Sequence, residues 1–147
     1  MAAKNPSIRS GAPRARHVSL VALPDAVVST LAGLYDVLNG ATSMGVLSEA
    51  PFDVQIVGEA AGPIGLASGV PMQVQRAVRD VEASDIVIVP SVLLREGRWV
   101  KGRYPTLVSW LARMHAQGAL LCSACSGIFL IAETGVFDDH DATVHFV

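Results

Sequence analysis

The residues best suited to chemistry lie in one short run, Ser123-Ala124-Cys125-Ser126-Gly127. An apolar stretch at 119–122 precedes this run and another at 126–134 follows it, a pattern that predicts a strand turning directly into a helix. A nucleophile at such a corner is held in a strained backbone conformation, and only small neighbours allow the strand and the helix to pack so closely. The spacing small-x-Cys-x-small therefore predicts a nucleophile elbow that presents the thiol of Cys125.

The helix that follows the corner is expected to support thiol chemistry. Its N-terminus offers unpaired N–H groups and a positive dipole end, which favour a thiolate and can hold an oxyanion. The backbone amides of Ser126 and Gly127 are the expected donors. Cys122 completes a C-x-x-C pattern with Cys125. Because Cys122 belongs to the predicted strand, we do not expect a functional disulfide.

Neither a metal nor a cofactor is expected. The chain has 2 cysteines and 4 scattered histidines, which do not supply the four clustered ligands of a structural zinc site. The acidic turn at 138–141 is interpreted as solvated rather than as a calcium site. Two cysteines are also too few for a disulfide framework, so the sequence predicts a protein of the reducing cytoplasm.

The elements that must position the elbow alternate between strand-like and helix-like segments. This alternation predicts an α/β domain with a mainly parallel sheet and helices on both faces. The predicted strands are 17–23, 52–57, 85–90 and 119–122, and the predicted helices begin near Thr30, at Pro105 and at Ser126. Ser29 or Thr30 is expected to cap the first helix. Residues 39–51 are expected to be a loop, 62–74 a turn or a small hairpin, and 76–81 a weak helical turn. A final strand is expected from Thr143 and continues to Val147, so we expect the domain to be incomplete at its C-terminus. The loop at 91–103 carries four cations, which we interpret as solvated.

Bulk composition limits the possible partners. A chain of 147 residues, 51% hydrophobic, suits one compact domain with a real core. The formal net charge of -2 gives no long-range attraction to nucleic acid or to an anionic membrane. No apolar run approaches the ~18 residues of a membrane span. Residues 1–16, with four cations and no acid, are predicted to be a flexible basic tail, and 17–147 the domain.

Several segments together resemble a known family. The run C-S-A-C-S-G-I-F-L-I-A-E-T-G-V-F-D-D-H-D-A-T-V-H is similar to the elbow and following strand of ThiJ/PfpI (class I glutamine amidotransferase-like) proteins. It most resembles the branch that is fused to AraC-type helix-turn-helix domains. The segments L-A-G-L-Y-D-V-L, D-I-V-I-V-P and L-V-S-W-L-A-R-M-H-A-Q-G-A agree, so the resemblance covers 17–147. It implies a flavodoxin-like three-layer sandwich.

The resemblance also implies a set of site residues. Family members carry a histidine at the head of the strand after the elbow, which is the position of His145. A nearby imidazole could activate the Cys125 thiol or bind an acidic ligand. Ligands of such folds bind in the crevice at the carboxyl ends of the strands. The expected ligand-binding residues are Thr30, Ser91, Cys125, Ser126, Gly127 and His145.

One departure from the family pattern favours binding over turnover. Hydrolytic and glyoxalase-like members carry a carboxylate near the start of the first helix, and the matching position here is Thr30. Asp25 and Asp36 lie nearby in sequence, but neither fills that position. Ser91 stands where enzyme members often have glycine. Both differences make catalysis by Cys125 and His145 uncertain and favour a non-enzymatic role.

Three functions therefore remain open. The resemblance implies a ligand-sensing and dimerising domain of an AraC-type transcription regulator, binding an unknown small molecule. Its DNA would be bound only by a helix-turn-helix domain absent from this chain, and a homodimer is expected. The alternative is a cysteine-dependent small-molecule hydrolase, hydratase or glyoxalase-like enzyme that uses Cys125 and His145. A third hypothesis is an oxidation sensor at Cys125.

Overall fold

The computed structural model describes residues 14–46 and 51–141. In chain order its elements are β1 (Arg16–Val21), α1 (Val28–Ser43), β2 (Phe52–Gly58), β3 (Gly62–Gly65), β4 (Pro71–Val74), β5 (Arg76–Ala77), β6 (Ile86–Val89), α2 (Pro105–Ala116), β7 (Leu120–Ser123) and α3 (Ile128–Ala132). Most of the predicted basic tail, the predicted final strand and His145 lie outside the described residues.

A five-stranded parallel sheet, in the order β5-β2-β1-β6-β7, organises the fold. Strand β1 lies between β2 and β6, so the chain first builds the sheet on one side of β1 and then on the other. Because both crossovers are right-handed by rule, α1 and α2 belong to opposite faces of the sheet. The predicted α/β fold with a mainly parallel sheet is confirmed, and the reversal of direction places a crevice at the carboxyl ends of β1 and β6.

The core follows from the apolar runs that predicted the strands. Leu20 in β1 and Val87 in β6 are fully buried, because these central strands have neighbours on both sides and helices on both faces. Helix α2 begins at Pro105, as predicted, and buries Leu107, Trp110, Leu111 and Met114. Gly118, with φ +94°, follows its end. Strands β3 and β4 form the predicted hairpin.

Helix α1 is longer than the sequence predicts. The loop predicted from Asn39 onwards is helical as far as Ser43. Asn39 donates from Nδ2 to the Tyr35 carbonyl at 2.8 Å, and Ser43 donates from Oγ to the Asn39 carbonyl at 3.1 Å. These polar side chains are therefore satisfied within the helix rather than in a loop.

Two segments differ in kind from their prediction. The weak helical turn expected after Gln75 is split into the short strand β5 and a 3-10 turn at Val78–Asp80. Strand β7, expected to be buried, leaves Leu120 61% exposed. Among the described residues β7 pairs only with β6, so it forms the edge of the sheet in this part of the chain.

Candidate functional site

The sharp corner predicted after β7 is present. A 3-10 turn at Cys125–Gly127 joins β7 to α3. Cys125 adopts φ +49°, in the left-handed region that non-glycine residues rarely enter, and it is exposed. Such a conformation costs about 1 kcal/mol or more and persists only where the surrounding structure enforces it.

Gly127 lets the corner approach the end of β6. A Cβ atom added there would lie 2.4 Å from the carbonyl oxygen of Pro90 and 2.5 Å from that of Val89, which leaves no room for any side chain. The Gly127 amide already donates to the Ala124 carbonyl at 3.0 Å. The structure thus gives Gly127 a packing role, and its amide is not free to hold an anion.

The hydroxyl of Ser126 fixes the chain that leaves β6. It donates to the Val92 carbonyl at 2.7 Å, accepts from the Val92 amide at 2.9 Å and lies 3.2 Å from Oγ of Ser91. One donor and two acceptors are all that a hydroxyl offers. The Ser126 side chain is therefore fully used inside the protein, and any contact that Ser126 makes with a ligand falls to its backbone.

Thr30 and Ser91 belong to the same hydrogen-bonded chain. Ser91 is buried, and its carbonyl accepts the Val27 amide at 2.8 Å. The Val27 carbonyl in turn accepts the Thr30 hydroxyl at 2.8 Å. The structure thus brings Thr30, Ser91, Ser126 and the Cys125 corner together at the carboxyl edge of the sheet. Their roles in binding stay predictions, as does the proximity of His145.

The two cysteines occupy different environments. Cys122 lies within β7, where it is partly buried and opposite Ile88 of β6. Burial raises the pKa of the Cys122 thiol, because a low-dielectric surrounding disfavours the thiolate. Both thiols are free. Cys125 is thus the accessible thiol of the pair.

A buried acid cluster beside the elbow was missed from the sequence. The side chain of Asp25, 5% exposed, follows β1 and forms an ion pair with Arg103. It also accepts the Tyr104 hydroxyl at 2.7 Å and lies 3.6 Å from Arg95. The interpretation of Arg103 as a solvated cation is wrong, since its side chain is only 29% exposed and pairs with this carboxylate, whereas Arg95 stays largely exposed. The available signal was an acid in the otherwise apolar segment L-P-D-A-V-V, because a buried charge requires a partner.

The cluster perturbs the tyrosine that belongs to it. The pKa of Tyr104 is raised well above its ordinary value, first because the phenol is buried and second because it donates to the Asp25 carboxylate. The Arg103 guanidinium, 5.2 Å from the centre of the Tyr104 ring, acts in the opposite direction. Tyr104 therefore remains a protonated donor throughout the physiological range.

Glu133, directly after α3, attaches the segment that follows β6 to the helix after the elbow. It accepts the Trp99 indole N–H at 2.6 Å and the Gly102 amide at 2.8 Å. The Trp99 ring also stacks on Phe129, with centroids 6.4 Å apart and an interplanar angle of 16°. Trp99, whose role the sequence did not indicate, thus fastens the segment after β6 to α3.

A cavity of about 210 Å³ opens at the carboxyl ends of β1 and β2. Its lining residues are Ala22, Leu23, Pro24, Glu59, Ala60, Ala61, Pro63 and Ile64. Within 14–46 and 51–141, no cluster of three or more histidine, cysteine, aspartate or glutamate side chains is placed to hold a metal ion. In the same part of the chain, no helix has both the length and the apolar character needed to cross a membrane.

The family follows from the sequence match. The sequence model of the DJ-1/PfpI family matches residues 26–147. The chain belongs to the DJ-1/PfpI family. Comparison with curated proteins finds no significant match. The elbow at Cys125 and the parallel sheet described above are thus features of a DJ-1/PfpI domain.

Solved structures agree with this assignment at the level of fold. A candidate transcriptional regulator from Vibrio parahaemolyticus is similar with a TM-score of 0.73 at 18% identity, over 90% of this chain and 68% of the other. An AraC family transcriptional regulator from Pseudomonas putida gives 0.69 at 20% identity, over 88% and 66%. DJ-1beta from Drosophila melanogaster gives 0.66 at 19% identity, over 84% and 62%. At these identities the likeness shows the fold alone.

Proposed function

We propose that this DJ-1/PfpI chain is the ligand-sensing and dimerising domain of an AraC-type transcription regulator. Its ligand is a small molecule bound at the carboxyl edge beside Cys125, and a helix-turn-helix domain outside this chain contacts DNA. The observation that carries the proposal is Thr30. It stands where hydrolytic relatives carry an acid, and its hydroxyl donates to the Val27 carbonyl. A side chain engaged in this way does not serve as a proton acceptor for the thiol.

The arrangement of the other acids supports the same proposal. Asp25 is buried, accepts hydrogen bonds from Arg103 and Tyr104, and forms a further ion pair with Arg95. Glu133 already accepts two N–H groups. Both carboxylates are thus engaged by donors of the protein itself, which supports a structural role beside the ligand site rather than contact with a substrate.

Thiol blocking combined with ligand screening tests the sensing proposal. The thermal midpoint is measured with panels of small carboxylic acids, amides and aldehydes, before and after alkylation of Cys125 with iodoacetamide. We expect at least one class to raise the midpoint of the untreated protein, because a ligand that binds only the folded state stabilises it. Alkylation of Cys125 should abolish the rise, and Cys125→Ser is the control that cannot be alkylated there. A rise that survives alkylation would place the ligand elsewhere.

Two further observations test the regulatory context. Sedimentation at several protein concentrations should show a dimer, and a monomer throughout would remove dimerisation from the proposal. The native coding sequence after Val147 should encode a two-helix DNA-reading segment. A stop codon soon after Val147 would contradict the AraC-type assignment while leaving ligand binding testable.

The enzymatic alternative rests on one specific observation, the exposed thiol of Cys125 at φ +49°. A strained, accessible nucleophile is the arrangement of cysteine-dependent hydrolases and of related enzymes. Turnover of methylglyoxal, isonitriles and amides is compared between the wild type and Cys125→Ala. Turnover that Cys125→Ala lacks would support the enzyme, and equal rates in both proteins would exclude it.

A further inference from the structure

The chain between β6 and α2 forms a strap across the carboxyl edge. We use the name strap for residues 93–103, and tip for its part at 96–102. The strap begins at Leu93, whose amide donates to the Asp25 carbonyl at 2.8 Å. It reverses direction at Glu96 and Gly97, which have φ +51° and +69°, and bends again at Gly102, with φ +78°. The tip is thus bounded by residues in left-handed conformations.

The carboxylates of Asp25 and Glu133 hold the strap, and the attachment at Asp25 is the stronger. Asp25 holds the base of the strap, by which we mean its residues outside the tip. It is 5% exposed and is bound by charged Arg103 and Arg95. Glu133 holds the tip, is only partly buried and accepts from two neutral groups, the Trp99 indole and the Gly102 amide. Release of Asp25 would leave a buried charge unpaired, whereas water can replace both donors at Glu133. The base is therefore the firm attachment and the tip the weak one.

We propose that the tip is a lid that opens by releasing Glu133 while Asp25 holds the base closed. The tip has few apolar anchors apart from Trp99: Val100 is 49% exposed, and the cations Arg98 and Lys101 point to solvent. Segments with few buried apolar contacts and exposed backbone hydrogen bonds open at low free energy. Opening lifts Trp99 from Phe129, because the bond to Glu133 and this ring contact hold the indole against α3. A further ring contact, with Tyr104 at 6.2 Å between centroids, lies just after the strap.

The position of Phe129 connects the lid to Cys125. Phe129 lies four residues after Cys125, about one helical turn along the segment that leaves the elbow. An open tip uncovers the face of the Phe129 ring that Trp99 covers in the closed state. The ligand proposal that follows rests on the proposed function, in which Cys125 marks the ligand site. A ligand with a flat apolar surface would stack on Phe129 in place of Trp99, and it would therefore favour the open state.

Limited trypsin digestion tests the lid on the intact chain without any ligand. The tip contains two trypsin sites, Arg98 and Lys101, and cleavage of a folded protein follows the population of its open state. Glu133→Ala removes both acceptors, and Glu133→Gln keeps one carbonyl oxygen. We expect cleavage at the tip to rise about tenfold in Glu133→Ala and by less in Glu133→Gln. Glu82→Gln, an exposed acid far along the chain, is the matched control and should match the wild type.

Acrylamide quenching of tryptophan fluorescence gives an independent readout. Trp110 is 3% exposed and belongs to the core, so any gain in quenching reports Trp99. Glu133→Ala should increase the quenching of tryptophan fluorescence. In Trp99→Phe the tryptophan that reports the opening is absent, so this variant should show no such increase. Equal tip cleavage in Glu133→Ala and Glu82→Gln would overturn the lid. Simultaneous cleavage at Arg76 in β5 and Arg113 in α2 would also overturn it, because Glu133 would then hold the whole fold together. Neither outcome depends on whether a ligand exists.

Discussion

The two edges of the parallel sheet each carry an acid paired with arginines, but the two clusters differ in burial. At the carboxyl edge, the Asp25 side chain is 5% exposed and its partner Arg103 29%. At the amino edge, Asp85 is 16% exposed and its partners Arg14 and Arg16 are 75% and 67% exposed. Asp25 also binds the Tyr104 hydroxyl, whereas Asp85 accepts the backbone amide of His17 at 2.8 Å.

This difference in burial indicates which end of the sheet is held more rigidly. Exposed ion pairs contribute little to stability, because water and salt screen them and the long side chains lose entropy. A buried carboxylate whose donors come from distant segments must keep all of them in place. The carboxyl edge, where Asp25 holds the base of the strap, is therefore the organised end of the sheet, and the amino edge is a solvated one.

Replacement of the two acids gives the largest expected contrast. Asp25→Asn removes a buried charge from between Arg103 and Arg95, and we expect it to lower the free energy of unfolding by about 3 kcal/mol. Asp85→Asn keeps an acceptor for the His17 amide and loses only pairs with exposed arginines, so its effect should be much smaller. Urea unfolding of both variants measures the contrast. Equal losses would mean that burial does not distinguish the edges.

A glycine substitution at each edge gives a contrast of intermediate size. Gly127→Ala puts a Cβ 2.4 Å from the Pro90 carbonyl oxygen, and overpacking against backbone should lower the free energy of unfolding by about 2–3 kcal/mol. Gly118→Ala at the amino edge meets no atom of the described residues within 4 Å, and only its φ of +94° opposes a side chain. We expect a loss of about 1 kcal/mol there. Thermal unfolding of both variants measures the difference, and a larger loss at Gly118 would contradict a tightly packed elbow.

The sequence predicted the local features of both edges but not the long-range ones. The elbow and α2 were predicted because their signals, small residues around Cys125 and an apolar face after Pro105, lie within a few neighbouring residues. The Asp25 cluster joins residues 78 and 79 positions apart, and no periodicity relates them. The cap expected at Ser29 or Thr30 was wrong for a local reason. Helix α1 already begins at Val28, and the Thr30 hydroxyl donates to the Val27 carbonyl instead of accepting an amide of the helix.

The residues of the candidate site also divide into those predicted from local sequence and those that depend on long-range contacts. Its central residue, Cys125, could be predicted from spacing, and Thr30 and Ser91 only through the family resemblance. That Ser126 uses its hydroxyl to hold Val92 depends on how β6 and the elbow meet in space. Glu133 reads in the sequence as an ordinary helix acid. It acquires a function only because Trp99 and Gly102, more than thirty positions earlier, pack against it.

Removal of the Tyr104 hydroxyl sharpens the account of the carboxyl edge. Tyr104→Phe deletes one hydrogen bond to Asp25 and should lower the free energy of unfolding by about 1 kcal/mol near neutral pH. The folded-state pKa of Tyr104 is raised. The stability that Tyr104 contributes is thus complete below the unfolded pKa, near 10, and is lost as the pH rises towards the folded value. The wild type should therefore approach Tyr104→Phe in stability above about pH 10. Urea midpoints from neutral to alkaline pH measure this, and a constant difference would contradict a protonated, buried phenol.

The smallest expected effect is the acid titration of Asp85 at the amino edge. The His17 amide, and then the charges of Arg14 and Arg16, hold the pKa of Asp85 below its ordinary value, although partial burial opposes them. The stability that Asp85 contributes is therefore present above the unfolded pKa, near pH 4, and is lost as the pH falls through the lower folded value. The thermal midpoint of the wild type should fall more steeply than that of Asp85→Asn on acidification below about pH 4. Added salt should reduce this difference without abolishing it, because salt screens the exposed arginines but leaves the bond from the His17 amide. Identical acid profiles would show that the amino-edge cluster contributes no stability of its own, which would make the contrast between the two edges complete.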